Sequence, residues 1–342
     1  MIKATIPMRI KIRSIPFIYK LLGGVLLLVA AFVISMRFGA QETTPRELWL
    51  ALTSTASEGN ILTLQEIRLP RELAAMLVGA ALAAAGAIMQ GVTRNPLADP
   101  GLLGLTSGAN LALAIIFASV PGISYFGIML ACFIGAAAGG GLVIGLGAVR
   151  RGRLSPVRIV LAGAAISTFL QAVTEGISLM FKISKDVSMW TAGGLIGTTW
   201  AQIQVIAPVI AAGIAVSILY SGHLTILSLS DEVAVGLGQK LARIKGILFA
   251  LVILLTGAAV ALAGNLAFLG LMIPHIVRKV VGTDYRYILP FSVLAGAAFM
   301  LLADTLARTI NAPYETPMAA IVAMAGLPFF LLVVRKGGKT LS

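Results

Sequence analysis

Apolar residues in this chain come in long unbroken runs, not in the alternating or helically striped pattern of a water-soluble fold. Runs able to cross a bilayer, about 20 residues each at ~1.5 Å rise, are predicted at 20–38, 71–91, 101–120, 123–148 and 156–180. Five more are predicted at 200–221, 245–264, 266–281, 288–307 and 316–334. The expected architecture is therefore an all-α polytopic membrane protein. It is a single transmembrane domain over residues 1–342, with ten transmembrane helices and both termini on one side. Composition agrees: 58% hydrophobic, 11% charged and a mean hydropathy of +0.99 lie far outside the soluble range.

The net charge of +13 raises the question of a nucleic-acid partner, and the topology answers it. Of the 26 Lys and Arg, nineteen fall on segments sharing the side of the N-terminus. Seven fall on the other side: Arg37, Arg46, Arg68, Arg71, Lys182, Lys185 and Arg308. This asymmetry predicts cytoplasmic termini and accounts for the basic charge without nucleic acid. A basic start before "LLGGVLLLVAAFVIS" also fits a secretory signal, but a retained first helix is expected. The basic region reaches Lys20, and no small-x-small cleavage site follows. Cys132, inside an apolar run, reads as a small buried hydrophobe.

Between the runs, 39–67 is the longest polar stretch on the outside and is expected to be an outer loop. Gly79, Ala83, Ala87 and Gly91 follow at four-residue spacing, a small-residue face for close helix approach. Gly135 with Gly139, and Gly141 with Gly145, repeat the device. "GAALAAAG" (79–86) and "GAAVALAG" (257–264) agree at six of eight positions in spans that cross in opposite directions, which hints at an inverted repeat. The segment 181–199, "KISKDVSMWTAGGLIGTTW" from Lys182, is too polar for a spanning helix. It reads either as a surface hairpin or as a re-entrant helix lining an outer vestibule, with Trp190 and Trp200 at the membrane interface.

Intramembrane charges mark function in ion-coupled carriers, and few occur here. Glu175 and Asp304 lie toward outer helix ends, and Asp304 is expected to pair with Arg308 one turn on. His223 and His275 have no partner at ligand spacing, so no metal site is expected. Gln90, Asn110, Gln171 and Asn265 are candidates to line a path, or else to hydrogen-bond neighbouring helices. Val333 stands where a phosphate-binding loop ending in "RKGGKT" would need glycine, and neither HExxH nor a nucleophile elbow occurs. No catalytic residue and no cofactor are expected; ATP, if used, is bound by another subunit.

"SLSDEVAVGLGQKLARIKG" (228–246) is a charged segment set between apolar spans on the cytoplasmic side. Ser228 with Asp231 suggests a capping box, and Asp231 and Glu232 suit a helical first turn. Gly236 and Gly238 end that helix, and a second short helix from Gln239 to Arg243 is predicted to lead into the next span. The result is a two-helix docking knob.

At these residues the chain resembles the FecCD-type permease subunits of binding-protein-dependent ABC importers, which carry iron–siderophores, haem and cobalamin. The marks are "RLPRELAAMLVGAALAAAGAIMQGVTRNPLADPGLLGLTSGA" (68–109) and "GNLAFLGLMIPHIVRKVVGTDYRYILPFSVLAGAAFMLLADTLAR" (264–308). The resemblance implies a type II ABC importer permease fold in a bacterial cytoplasmic membrane. Its implied partners are a second permease subunit, identical or related, a cytoplasmic ATPase dimer and an outer siderophore-binding protein. It assigns ATPase coupling to 229–244, with Ser230, Asp231, Glu232, Ala234, Gly236, Gly238 and Gln239. Glu232, Ala234 and Gly238 echo the EAA-loop spacing, which Val233 breaks. It also assigns Arg68, Arg71 and Arg308 to docking of glutamates on the binding protein, a role suited to a rigid guanidinium fork. The alternatives are a cobalamin or haem permease of the same family and, from another class, an ion-coupled secondary carrier, whose mark would be a mid-membrane carboxylate.

Overall fold

The computed structural model describes residues 16–39, 43–53, 59–148, 156–192, 194–312 and 314–337. The basic residues before Phe17, Arg150, Arg151 and Arg153 lie outside them. Helices occupy most of the described chain, and no strand occurs among the described residues. In order they are α1 (Phe17–Arg37), α2 (Pro45–Thr53), α3 (Gly59–Thr63), α4 (Leu69–Thr93), α5 (Leu105–Ser119), α6 (Tyr125–Ala148), α7 (Pro156–Met180) and α8 (Ser184–Thr191). There follow α9 (Trp200–Leu219), α10 (Ser221–Leu227), α11 (Asp231–Gly236), α12 (Leu241–Ala263), α13 (Leu269–Val281), α14 (Tyr285–Thr309) and α15 (Met318–Gly337).

Among the described residues, seven helical segments are long and apolar enough to cross a membrane, where the run lengths predict ten. The difference has local causes. α5 and α13 have 15 and 13 residues, about 22 and 20 Å of rise against a hydrocarbon core of ~30 Å. The apolar runs around them begin in irregular backbone. Gly104 takes φ 74° after a 3-10 turn at Pro100–Leu103, and Gly264 (φ 69°) and Phe268 (φ 68°) turn the chain before α13. α7 has 25 residues, but the side chains of its first five lie outside the described part.

α4 is the central helix, with 20 of its 25 residues buried. Alanine and glycine make this possible, because a narrow helix lets neighbours close in from every side. α4 runs antiparallel to α14: Arg71 meets Asp304, Gly79 meets the Gly296 backbone, and Gly91 meets Tyr285. Ala83 also contacts Gly296, so the predicted small-residue stripe faces α14. Gly86 packs on the backbone of Gly270 at the start of α13. Gly135 and Gly139 bring α6 onto Gly108 and Gly104 in the same way, whereas Gly141 and Gly145 face open space. The two similar octapeptides meet different surroundings: Gly257 packs on Phe133, and Gly264 on the Trp190 carbonyl.

The stretch 39–67, expected as a loop, contains α2, α3 and a π-helical turn at Leu64–Arg68 that runs directly into α4. Residues 40–42 and 54–58 lie outside the described part. The nearest apolar side chains, Ala51, Ile61 and Leu64, bury against Met36 of α1 in a small satellite core. Trp200 anchors the same region, its Nε1 donating to the Gln65 carbonyl at 3.0 Å.

Candidate functional site

Three polar assemblies stand out against the apolar bundle. The first joins α1, α4 and α14. Arg71 donates to both carboxylate oxygens of Asp304 at 2.9–3.1 Å and to Glu315 at 2.8 and 2.9 Å. Arg308 pairs with Asp304 one turn away at 2.9 Å, as expected, and also reaches Glu72 at 2.6 Å. Ser35 of α1 donates to Glu72 and accepts from Thr305 and Arg308, each at 2.9 Å. Glu72 and Asp304 are fully buried, and Arg71 and Arg308 are 9% and 7% exposed. Arg68 is half-buried and donates to the Met36 carbonyl at 2.7 Å and to Thr43 Oγ1 at 2.6 Å.

Arg68, Arg71 and Arg308, which the resemblance assigns to docking of the binding protein, are all engaged inside the chain. Arg71 and Arg308 are buried and held by carboxylates, because a buried arginine without one would be too costly to keep, whereas half-buried Arg68 bonds a carbonyl and a hydroxyl. Sequence spacing within one helix reveals Asp304–Arg308. The partners Ser35, Glu72 and Glu315 come from elsewhere in the sequence and are brought in by the antiparallel packing of α4 on α14.

The second assembly is a polar cavity of about 520 Å³. Three of the four candidate path residues line it: Asn110 from α5, Gln171 from α7 and Asn265 from the turn before α13. Ser107, Glu175 and Ser184 share the lining. Gln90 is elsewhere. Its Nε2 donates to the carbonyls of Gly270 (3.2 Å) and Leu271 (3.1 Å), and its Oε1 accepts from Arg278 at 3.2 Å. It is a buried clasp that holds α13 on α4, the helix-bonding alternative for such residues.

The segment 181–199 contains α8, which stands between this cavity and a larger crevice of about 740 Å³. Ser184, Val187, Ser188 and Thr191 face the cavity, and Ile183, Asp186, Met189 and Trp190 face the crevice. The Gly194 amide donates to the Ala263 carbonyl at 3.3 Å and Trp190 Nε1 to the Val260 carbonyl at 3.4 Å, which seats the segment on the end of α12.

The third assembly is the 228–246 segment. Its cap is Ser230, which accepts from the Val233 amide at 3.0 Å, where the residue pattern predicts a capping box at Ser228. Ser228 instead donates back to the Thr225 carbonyl at the end of α10. Gly238 takes φ 77°, and the predicted second short helix is simply the first turn of α12. Asp231 pairs with Arg94, which caps α4, and with Lys245 of α12 at 3.0 Å. Ala234 is buried and Gln239 donates to the His223 carbonyl at 3.4 Å. Leu229, Val233, Val235 and Leu237 are 43–65% exposed. Four exposed apolar side chains on one short segment form the kind of patch that marks a protein partner.

A family model described as the FecCD transport family matches residues 27–336. The iron(3+)-hydroxamate import system permease protein FhuB of Bacillus subtilis is 42% identical over 92% of this chain and 83% of its own length. The Fe(3+)-citrate import system permease protein YfmD of the same organism is 42% identical over 81% and 82%. Among solved structures, an inward-facing conformation of a metal-chelate type ABC transporter superposes with a TM-score of 0.80 at 28% identity, covering 93% of this chain and 99% of that one.

Proposed function

The chain belongs to the FecCD transport family, an ABC importer permease and integral membrane protein, and on that premise we propose that it carries ferric siderophore complexes inward. The carrying observation is the polar cavity that gathers Asn110, Gln171 and Asn265 inside an otherwise apolar bundle. A ferric chelate presents carbonyls, amides and hydroxyls, and these groups match that lining. Relatives whose names specify hydroxamate and citrate chelates support the substrate class.

In this proposal ATP is hydrolysed by a partner ATPase dimer that seats on the exposed apolar residues of 229–237. Closure of that dimer moves the knob, and the Asp231 pairs pass the motion to α4 and α12. A second permease subunit completes the path, the membrane is the bacterial cytoplasmic one, and both termini lie inside. The binding protein docks on the opposite face, where half-buried Arg68 is the most accessible of the three arginines and the buried cluster holds the platform rigid. A secondary carrier would need a mid-membrane carboxylate free to titrate, whereas Glu72 and Asp304 are tied into ion pairs and Glu175, like them, lies near a helix end.

Uptake of radioactive iron, presented as a panel of hydroxamate, catecholate and citrate chelates, tests the reading in cells with and without this gene. Labelled cobalamin and haem run alongside. Loss for one class of iron chelate is the expected result; loss for cobalamin or haem alone would overturn the siderophore assignment.

A further inference from the structure

Among the described residues lining the polar cavity, one is charged, Glu175. Gln171, one turn before it on α7, donates to Glu175 Oε1 at 3.2 Å. Both side chains are exposed in the single chain, although the same helix exposes apolar Leu161 and Phe169 away from the cavity. A carboxylate facing lipid would be strongly disfavoured, so the Gln171–Glu175 stripe belongs to the water-filled side of α7. Lys182 and Lys185 follow closely in sequence, but neither lines the cavity. Asn110, 8% exposed, also lines the cavity, and its buried Oδ1 has no hydrogen-bond partner among the described residues. The remaining polar lining consists of hydroxyls and amides.

We infer that this cavity is a subsite for the passing ferric chelate and that Glu175 sorts chelates by charge, favouring cationic and neutral ones over anionic ones. The inference rests on the importer reading above. Hydroxyl and amide groups meet a neutral hydroxamate chelate without penalty, and the carboxylate attracts a pendant ammonium. An anionic catecholate or carboxylate chelate finds no cation among the described lining residues and meets like charge. At a few ångströms in a water-filled site, one such charge shifts occupancy about tenfold.

The test uses one linear trihydroxamate scaffold loaded with radioactive iron in three forms: a free terminal amine (cationic), its acetyl amide (neutral) and its succinyl amide (anionic). Initial uptake is measured in cells lacking their own permease and carrying the wild-type chain, Glu175→Gln or Glu175→Asp, with the cognate binding protein and ATPase. The cationic-to-anionic rate ratio is compared between variants, which cancels the binding protein's own preference. Glu175→Gln is expected to lower that ratio about tenfold, and Glu175→Asp to retain the wild-type ratio. An unchanged ratio in Glu175→Gln at normal chain abundance would overturn the inference, as would loss of all three substrates in that variant. If the wild-type chain took up none of the three, nor any other iron chelate, the importer reading itself would fall and the inference with it.

Discussion

The two ends of α4 carry ion pairs in opposite surroundings. At one end Arg71 and Glu72 join Asp304, Arg308 and Glu315 in a cluster whose central carboxylates are fully buried. At the other, Asp231 pairs with both Arg94 and Lys245, with side chains 30–40% exposed. The chemistry is the same, but only the buried end is locked. Buried charges without partners are costly, so the first cluster binds α1, α4 and α14 into one body. Exposed pairs are screened by water and salt and exchange partners at little cost. A rigid end suits a docking platform, and an adjustable end suits an element that must move with a partner.

The largest effect is expected from Asp304→Ala, which leaves Arg71 and Arg308 buried without their shared carboxylate. A loss of about 3–5 kcal/mol would lower the midpoint of thermal unfolding in detergent sharply. A shift no larger than that of a surface variant would break the contrast between the two ends. Arg68→Ala comes next and sharpens the docking role. It removes hydrogen bonds worth about 1–2 kcal/mol, so the folded chain is retained. Uptake at limiting binding protein is expected to fall several-fold and to recover at saturating binding protein; equal uptake at both concentrations would remove Arg68 from the docking face. Asp231→Asn is expected to cost the least stability, about 0–1 kcal/mol, while reducing the ATPase activity that transport stimulates. A stability loss as large as that of Asp304→Ala would mean that the knob is held as rigidly as the opposite end.

Much of this is legible in the chain itself. The position of each long helix follows from run length, and the knob follows from charges set between apolar spans. Asn110, Gln171 and Asn265 are recognisable as polar residues in apolar surroundings. Gln90 looks identical by that criterion, yet it clasps α13, because only the packed neighbours decide whether an amide meets a cavity or a carbonyl. The pairing of the arginines is hidden for a related reason. Glu72 pairs with Arg308 and Glu315 with Arg71, 236 and 244 positions apart, without the one-turn spacing that reveals a pair. The short α5 and α13 are hidden because an apolar run does not show where left-handed residues such as Gly104 and Phe268 break the helix.

By itself the sequence determined that the chain lives in a bilayer, where its helices run and where charged segments interrupt them. These are properties of local hydropathy and charge, which each segment carries wherever it is placed. Only the tertiary structure decided which charges pair, which amides face a cavity and where the apolar runs around α5 and α13 leave the helix. Those outcomes depend on distances between residues up to 273 positions apart, set when small residues on α4 let α13 and α14 close upon it.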